Sequence, residues 1–357
     1  MNRIRVGIVG LGEVAQITHL PIITTALNQY YEVTAICDIS PTLTKAIGEQ
    51  FQVQEQYLDY HELVASPNVD VVFVLNSDEY HADTAIAALN QGKHAFIEKP
   101  VCLTLSDAQK IIEARDAAKK QVMVAYMRRY APAFLQAKEL INELPNINFV
   151  RVKDIIGQNR LIIDQSSNVR RPQDIPVEAT ADRNMRASSM ENEAVGEGYD
   201  ASIYRTYRLL CGLGSHDLSA MRELLGAPRR VVSAHTWSGG SFLLATFEYD
   251  NFFVSFEMGV DLQRRFDAHI EVFSEHKSFK IQYDTPYIRH LPTTLDIAET
   301  IGDSYRESRI RPTFKDAYTI ELEELYYVLT DNRTVKTTVE DSVQDLKLFQ
   351  RIVSLLK

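Results

Sequence analysis

Across its first 125 residues the chain alternates short β-branched runs with amphipathic stretches, and this alternation constrains the fold more than any other feature. The runs "IRVGIVG" (Ile4–Gly10), "YEVTAICD" (Tyr31–Asp38), "VDVVFVLN" (Val69–Asn76), "KHAFIEK" (Lys93–Lys99) and "QVMVAY" (Gln121–Tyr126) read as strands. Helices are expected near 13–28, 41–52, 79–91 and 104–119, the third ending at Gly92. Strands this rich in Val and Ile, joined by helical crossovers, need cover on both faces, which means a parallel sheet. Right-handed crossovers then give a doubly wound α/β architecture.

The pattern changes after about residue 131. Asn146–Gln158, Arg229–Gly239, Ser241–Asn251, Phe252–Val260 and Asp267–Tyr283 read as closely spaced strands, with hairpin turns at Gly239-Gly240 and Asp250-Asn251. They predict a large, open, mainly antiparallel sheet in an α+β domain. A helix at His216–Gly226 interrupts it, and two more close the chain near 314–331 and 339–356. The expected division is 1–125 and 126–357, with a polar insertion near 160–204 in the second part. That insertion shows little periodicity and reads as structureless, hence functional or mobile. Its stretches "RRPQD" and "ADRNMR" can form a lid or a loose loop.

Composition narrows the classes. The chain has 357 residues and a formal net charge of -10, which argues against a nucleic-acid footprint. Three cysteines, Cys37, Cys102 and Cys211, form no paired spacing, so neither a disulfide framework nor a zinc site is expected, and no other group has metal-ligand spacing. No apolar run approaches the roughly 20 residues that span a bilayer. The N-terminus enters a strand with no leader pattern, and the cytoplasm is the expected location.

Directly after the first strand comes Gly10-Leu11-Gly12-Glu13-Val14-Ala15. The first glycine permits a tight turn, the second lets backbone approach a pyrophosphate, and Ala15 lets the following helix pack closely on the strand. The N-terminus of that helix, from Glu13 and Val14 onward, offers free N–H groups to a diphosphate. Asp38 ends the second strand, where an acid suits a ribose diol and repels a 2′-phosphate. The implied cofactor is NAD, with NADP left open, so residues 1–125 are expected to form an NAD(P)-binding Rossmann domain.

The stretch Val71–Pro100 resembles the Gfo/Idh/MocA family of NAD(P)-dependent sugar and cyclitol oxidoreductases. Asn76-Ser77-Asp78 stands in place of the family's T-P-N segment, and His81, Ala85, Ala88, Leu89, Gly92-Lys93-His94 and Glu98-Lys99-Pro100 match its pattern. "YMRRYAPAF" (Tyr126–Phe134) and the closing segments Phe314–Leu329 and Thr337–Ile352 are also similar to the family. The resemblance implies that Lys99 reaches the substrate alcohol beside the nicotinamide, where desolvation and a cationic ring disfavour its ammonium. It also implies that Asn76, Ser77, His81 and Glu98 line the cofactor side, although His81 can instead cap its own helix. Glu98 either orients Lys99 or ends its strand in solvent.

The family's second polar pair is an aspartate four residues before a histidine. His216 stands in the histidine place, with Ser215 as its expected N-cap, but Gly212 replaces the aspartate. Proton transfer on this reading rests on Lys99 and His216. Arg128, Tyr126, Tyr204 and Tyr207 are further candidates for substrate contact; the two later tyrosines suit packing as well.

The resemblance thus implies hydride transfer between NAD(P) and a secondary alcohol of a sugar, inositol or related polyol, in a homodimer or homotetramer. Two alternatives stay open: a cofactor-binding regulator without catalysis, which Gly212 favours, and cofactor-retaining elimination, hydrolysis or epimerisation through a keto sugar.

Overall fold

The computed structural model describes residues 3–356. The chain falls into two compact units: residues up to Ala125 with Ser167–Ala194 and Glu321–Leu346, and Tyr126–Ser166 with Val195–Ile320 and the residues from Lys347 onward.

In the first unit, β1 (Ile4–Val9), β2 (Tyr31–Cys37), β3 (Glu55–Tyr57), β4 (Val71–Val74), β5 (His94–Glu98) and β6 (Val122–Ala125) form one sheet in the order β3-β2-β1-β4-β5-β6. Every neighbouring pair is parallel. β4 and β6 are buried at every position, as a sheet covered on both faces requires. Strand order reverses between β1 and β4, so a crevice opens at their carboxyl ends, where doubly wound sheets hold ligands.

The helices α1 (Pro41–Phe51), α2 (Tyr60–Ala65), α3 (His81–Asn90) and α4 (Leu105–Ala118) lie between these strands. Ser40 and Thr104 cap α1 and α4, each accepting from an amide three residues on. The expected helix near 13–28 is instead wound largely in π-turns, Ala15–His19 and Ile22–Ala26, on either side of Pro21. Proline lacks the N–H that a regular ladder needs there. β3 and α2 escaped the strand-and-helix pattern because "EQY" is three residues long and only Leu63 and Val64 of α2 are buried.

The second unit holds an eight-stranded sheet of β7 (Phe149–Gly157), β8 (Arg230–Trp237), β9 (Phe242–Glu248), β10 (Phe253–Asp261), β11 (Phe266–Phe273), β12 (Lys277–Tyr283), β13 (Thr294–Ile301) and β14 (Ser304–Ile310). The order is β14-β13-β12-β11-β7-β10-β9-β8, antiparallel except where β7 and β10 run side by side. Burial alternates along β7, β9 and β10, so one face is covered and the other open. Helices Pro132–Asn142 and Ser215–Leu225 pack against the covered face. β13 and β14 were not foreseen: "SYRESRI" is polar on both faces and mostly exposed, so it carries no period-two signal.

The insertion near 160–204 is not structureless. It contains helices Asn159–Ser166, Val177–Val195 and Ala201–Leu209. The middle one buries Val195 alone, so its sequence lacks an apolar stripe although Glu, Ala, Arg and Met favour helix. Among the described residues no helix is long and apolar enough to cross a membrane.

Candidate functional site

The glycine loop closes the carboxyl end of β1. Gly10 has φ +93°, and a Cβ there would fall 2.4 Å from the backbone nitrogen of Asn76, so no larger residue fits. A Cβ on Gly12 would meet nothing within 4 Å, which leaves a cradle for a ligand to approach the backbone. Ala15 is fully buried, as close helix packing demands. Asp38 holds the loop from the neighbouring strand: Leu11 N donates to its Oδ2 at 2.9 Å, and Ser40 N donates to its Oδ1 at 3.0 Å. Burial raises the Asp38 carboxyl above its ordinary value, these amides lower it, and the nearby Asp174 carboxylate raises it again.

These groups border a cavity of about 670 Å³. Gly10, Gly12, Asp38, Ile39, Asn76, Ser77 and Tyr80 line one side; Pro172, Ile175, Ala179, Thr180, Asp182 and Arg183 line the other. The donor set and the open cradle fit a dinucleotide: backbone amides for a diphosphate, an acid for a ribose diol, and apolar walls for a flat base. Glu13, at the start of the following helix, accepts from Arg171 Nη2 at 2.9 Å in an exposed ion pair. Val14 is half-buried in that turn. The contribution of residues 172–183 was missed. A stretch without apolar periodicity gives no sign of which surface it covers, although "RRPQD" and "ADRNMR" drew notice as a lid.

Glu98-Lys99-Pro100 leaves β5 at the same carboxyl edge of the sheet. Glu98 does not end its strand in solvent; it is buried, and its Oε1 lies 2.9 Å from His19 Nε2. Its other oxygen, Oε2, accepts from Lys99 N at 3.2 Å. The Lys99–Pro100 peptide bond is cis, and Lys99 is half-buried. His81 ties this turn to the end of β4: its Nδ1 is 2.7 Å from Pro100 O and its Nε2 3.0 Å from Asn76 O. Asn76 Nδ2 donates to Thr84 Oγ1 at 3.0 Å, and Ser77 Oγ donates to Glu79. The candidates Asn76, Ser77, His81, Glu98 and Lys99 therefore gather in one connected network of the first unit.

The second unit carries His216. It is buried in Ser215–Leu225, which continues directly from a π-turn at Leu210–Gly214. Ser215 is therefore not an N-cap, because Gly214 before it already has helical backbone angles. A Cβ on Gly212 would meet nothing within 4 Å, so packing does not dictate the glycine. Arg128 is buried, with its Nη1 3.1 Å from Asp154 Oδ2 and also donating to Asp217. Its guanidinium lies 4.9 Å from the centre of the Tyr283 ring. These contacts hold Arg128 at the edge of a small cavity that Tyr283, Asp284 and Thr285 also line. Tyr126 is buried beside Arg129, Tyr204 Oη donates to Gly196 O at 2.8 Å, and Tyr207 is fully buried.

Residues 4–126 match the family model GFO_IDH_MocA, described as an oxidoreductase family with an NAD-binding Rossmann fold. The inositol 2-dehydrogenase of Salmonella typhimurium is 37% identical over 141 residues, 39% of this chain and 41% of that protein. The myo-inositol 2-dehydrogenase of Thermotoga maritima is 33% identical over 139 residues, 38% of this chain and 40% of that protein. These alignments span about two fifths of the length of the curated relatives. Solved structures are similar over the whole chain. A putative NADPH-dependent oxidoreductase from Desulfitobacterium hafniense gives a TM-score of 0.77 at 15% identity, covering 100% of this chain and 96% of that one. An aldose-aldose oxidoreductase from Caulobacter crescentus gives 0.75 at 18% identity, covering 99% and 97%. At these identities they establish the fold alone.

Proposed function

We propose, from the premise that residues 4–126 belong to the NAD-binding Rossmann fold of the Gfo/Idh/MocA oxidoreductase family, that this chain is an NAD(P)-dependent dehydrogenase or reductase. Its substrate is a secondary alcohol of a sugar, inositol or related polyol, or the matching ketone. The inositol dehydrogenases among its relatives support the polyol class. One observation carries the reading: Lys99 leaves β5 at the sheet edge that also bears the Gly10 turn, Asp38 and Asn76.

A bound nicotinamide supplies the hydride acceptor or donor. The chain supplies the rest. Asp38 and the amides around Gly12 bind and orient the adenosine half. Lys99 Nζ takes the proton of the alcohol in oxidation and returns it in reduction, so that charge does not build up on the oxygen. The Glu98–His19 pair and the His81 contacts fix the backbone from which Lys99 extends. His216 is assigned as the second polar group at the reacting hydroxyl, on the strength of the family pattern. As in that family, assembly as a homodimer or homotetramer is expected.

Gly212 favours a second reading, a cofactor-binding regulator that has lost turnover. A screen of purified protein with NAD and NADP against inositols, sugars and glycosides separates the two. Cofactor reduction with at least one polyol supports the dehydrogenase, whereas cofactor binding without reduction by any of them supports the regulator.

A further inference from the structure

We propose that Asp174 is a second acidic determinant of the ribose pocket and selects NAD against NADP. The inference rests on reading the cavity as a dinucleotide site and adds a residue from the 167–194 segment to it.

The donors beside Asp38 are already committed. Its own two oxygens accept from Leu11 N and Ser40 N. The next donors along the chain are Ser40 Oγ and Thr42 N, at the N-terminus of the 11-residue helix α1. Such a terminus is where a phosphate on the ribose would find amide and hydroxyl partners. Both donors are occupied by Asp174: Ser40 Oγ donates to its Oδ1, and Thr42 N donates to its Oδ2 at 3.0 Å. The chain thus fills this anion position with a carboxylate of its own. A 2′-phosphate entering beside Asp38 would meet two carboxylates and find Ser40 and Thr42 taken, while a ribose diol needs neither of those donors. The Asp174 charge is felt at Asp38, whose carboxyl it helps to raise.

Asp174 is held in this position from both sides. Before it, Arg170 N donates to Gln16 Oε1 at 2.9 Å, and Arg171 Nη2 donates to Glu13 Oε1 at 2.9 Å. After it, Tyr80 Oη donates to Asp182 Oδ2 at 2.6 Å and Arg186 Nη1 to Asp83 Oδ2 at 2.6 Å. Pro172 and Ile175, flanking Asp174, line the cavity itself.

The test is direct binding of NADH and NADPH to the full-length protein, by nicotinamide fluorescence or calorimetry, without turnover. Wild type is expected to prefer NADH. Asp174→Ala should improve NADPH binding by about tenfold relative to NADH, the scale of one like-charge contact near a protein surface. Asp83→Ala loosens the same segment by removing the Arg186 partner, at a residue that does not line the cavity and leaves the Asp174 carboxylate untouched, and should change both affinities in proportion. A wild-type preference for NADPH, an NADPH/NADH ratio unchanged within about twofold in Asp174→Ala, or an equal ratio change in Asp83→Ala would each overturn the assignment. Failure of wild type to bind either nucleotide would instead refute the dinucleotide site on which the inference rests.

Discussion

His19 Nε2 and Glu98 Oε1 meet at 2.9 Å with both side chains buried, so the residue preceding Lys99 is anchored in the Rossmann core. Burial pushes the Glu98 carboxyl up, but the hydrogen bond and charge of His19, with the charge of Lys99, bring it below the ordinary range. A depressed acid stabilises the fold above its unfolded value, near 4.3, and that contribution is lost as pH falls through the folded value. Glu98→Gln should destabilise the protein by about 3 kcal/mol near neutrality, because it leaves a buried partner uncompensated. Thermal melts from neutral pH downward should show the gap between variant and wild type closing below about pH 4. A gap that widens on acidification would contradict the pairing.

The two loop glycines should separate stability from binding. Gly10→Ala places a Cβ against the Asn76 backbone at positive φ and should cost at least about 2 kcal/mol. Gly12→Ala meets no protein atom, so its stability should stay within about 0.5 kcal/mol of wild type. It should nonetheless weaken NADH binding by about tenfold or more, since the methyl stands where a pyrophosphate would approach. Urea unfolding and NADH titration of both variants check this. Unchanged NADH affinity in Gly12→Ala would count against the cradle.

In the second unit, Arg128 serves two buried acids, Asp154 and Asp217. Burial raises Asp217 well above the ordinary range, Arg128 opposes this, and Asp154 reinforces it. An acid raised in the folded state stabilises fully below its unfolded value and loses that contribution as pH rises toward the folded one. Arg128→Ala should therefore cost about 3–5 kcal/mol, while Asp217→Asn should be nearly neutral and should flatten the loss of stability with rising pH. Urea melts at mildly acidic and mildly alkaline pH measure both. Comparable destabilisation by the two variants would contradict this charge count.

The contrast between "IRVGIVG" and "SYRESRI" shows what was legible in the sequence. β1, β2, β4, β5 and β6 are apolar runs bounded by turn residues, and each lies where that pattern places it. The Gly10 turn, the Asp38 strand end and the Glu98-Lys99-Pro100 exit were readable because each depends on local chemistry at a fixed spacing. β14 and the helix Val177–Val195 were not, because neither buries an apolar face that periodicity could report. The partners of Asp174, Arg128 and Glu98 lie 134, 89 and 79 residues away in sequence. No spacing rule reaches that far. The buried acids that Arg128 pairs with could not be named from the sequence, and the buried side of Glu98 stayed undecided.

The proposed role of Lys99 is to move the proton when a polyol is oxidised. Its most direct test is the near-ultraviolet appearance of reduced nicotinamide when wild type and Lys99→Ala are given NAD and the polyol that wild type uses best, with NADH affinity measured alongside. Lys99→Ala should lose about 100-fold or more in kcat while binding NADH within about threefold of wild type. Wild-type turnover in Lys99→Ala, or cofactor binding with no reduction by any polyol in wild type, would contradict it.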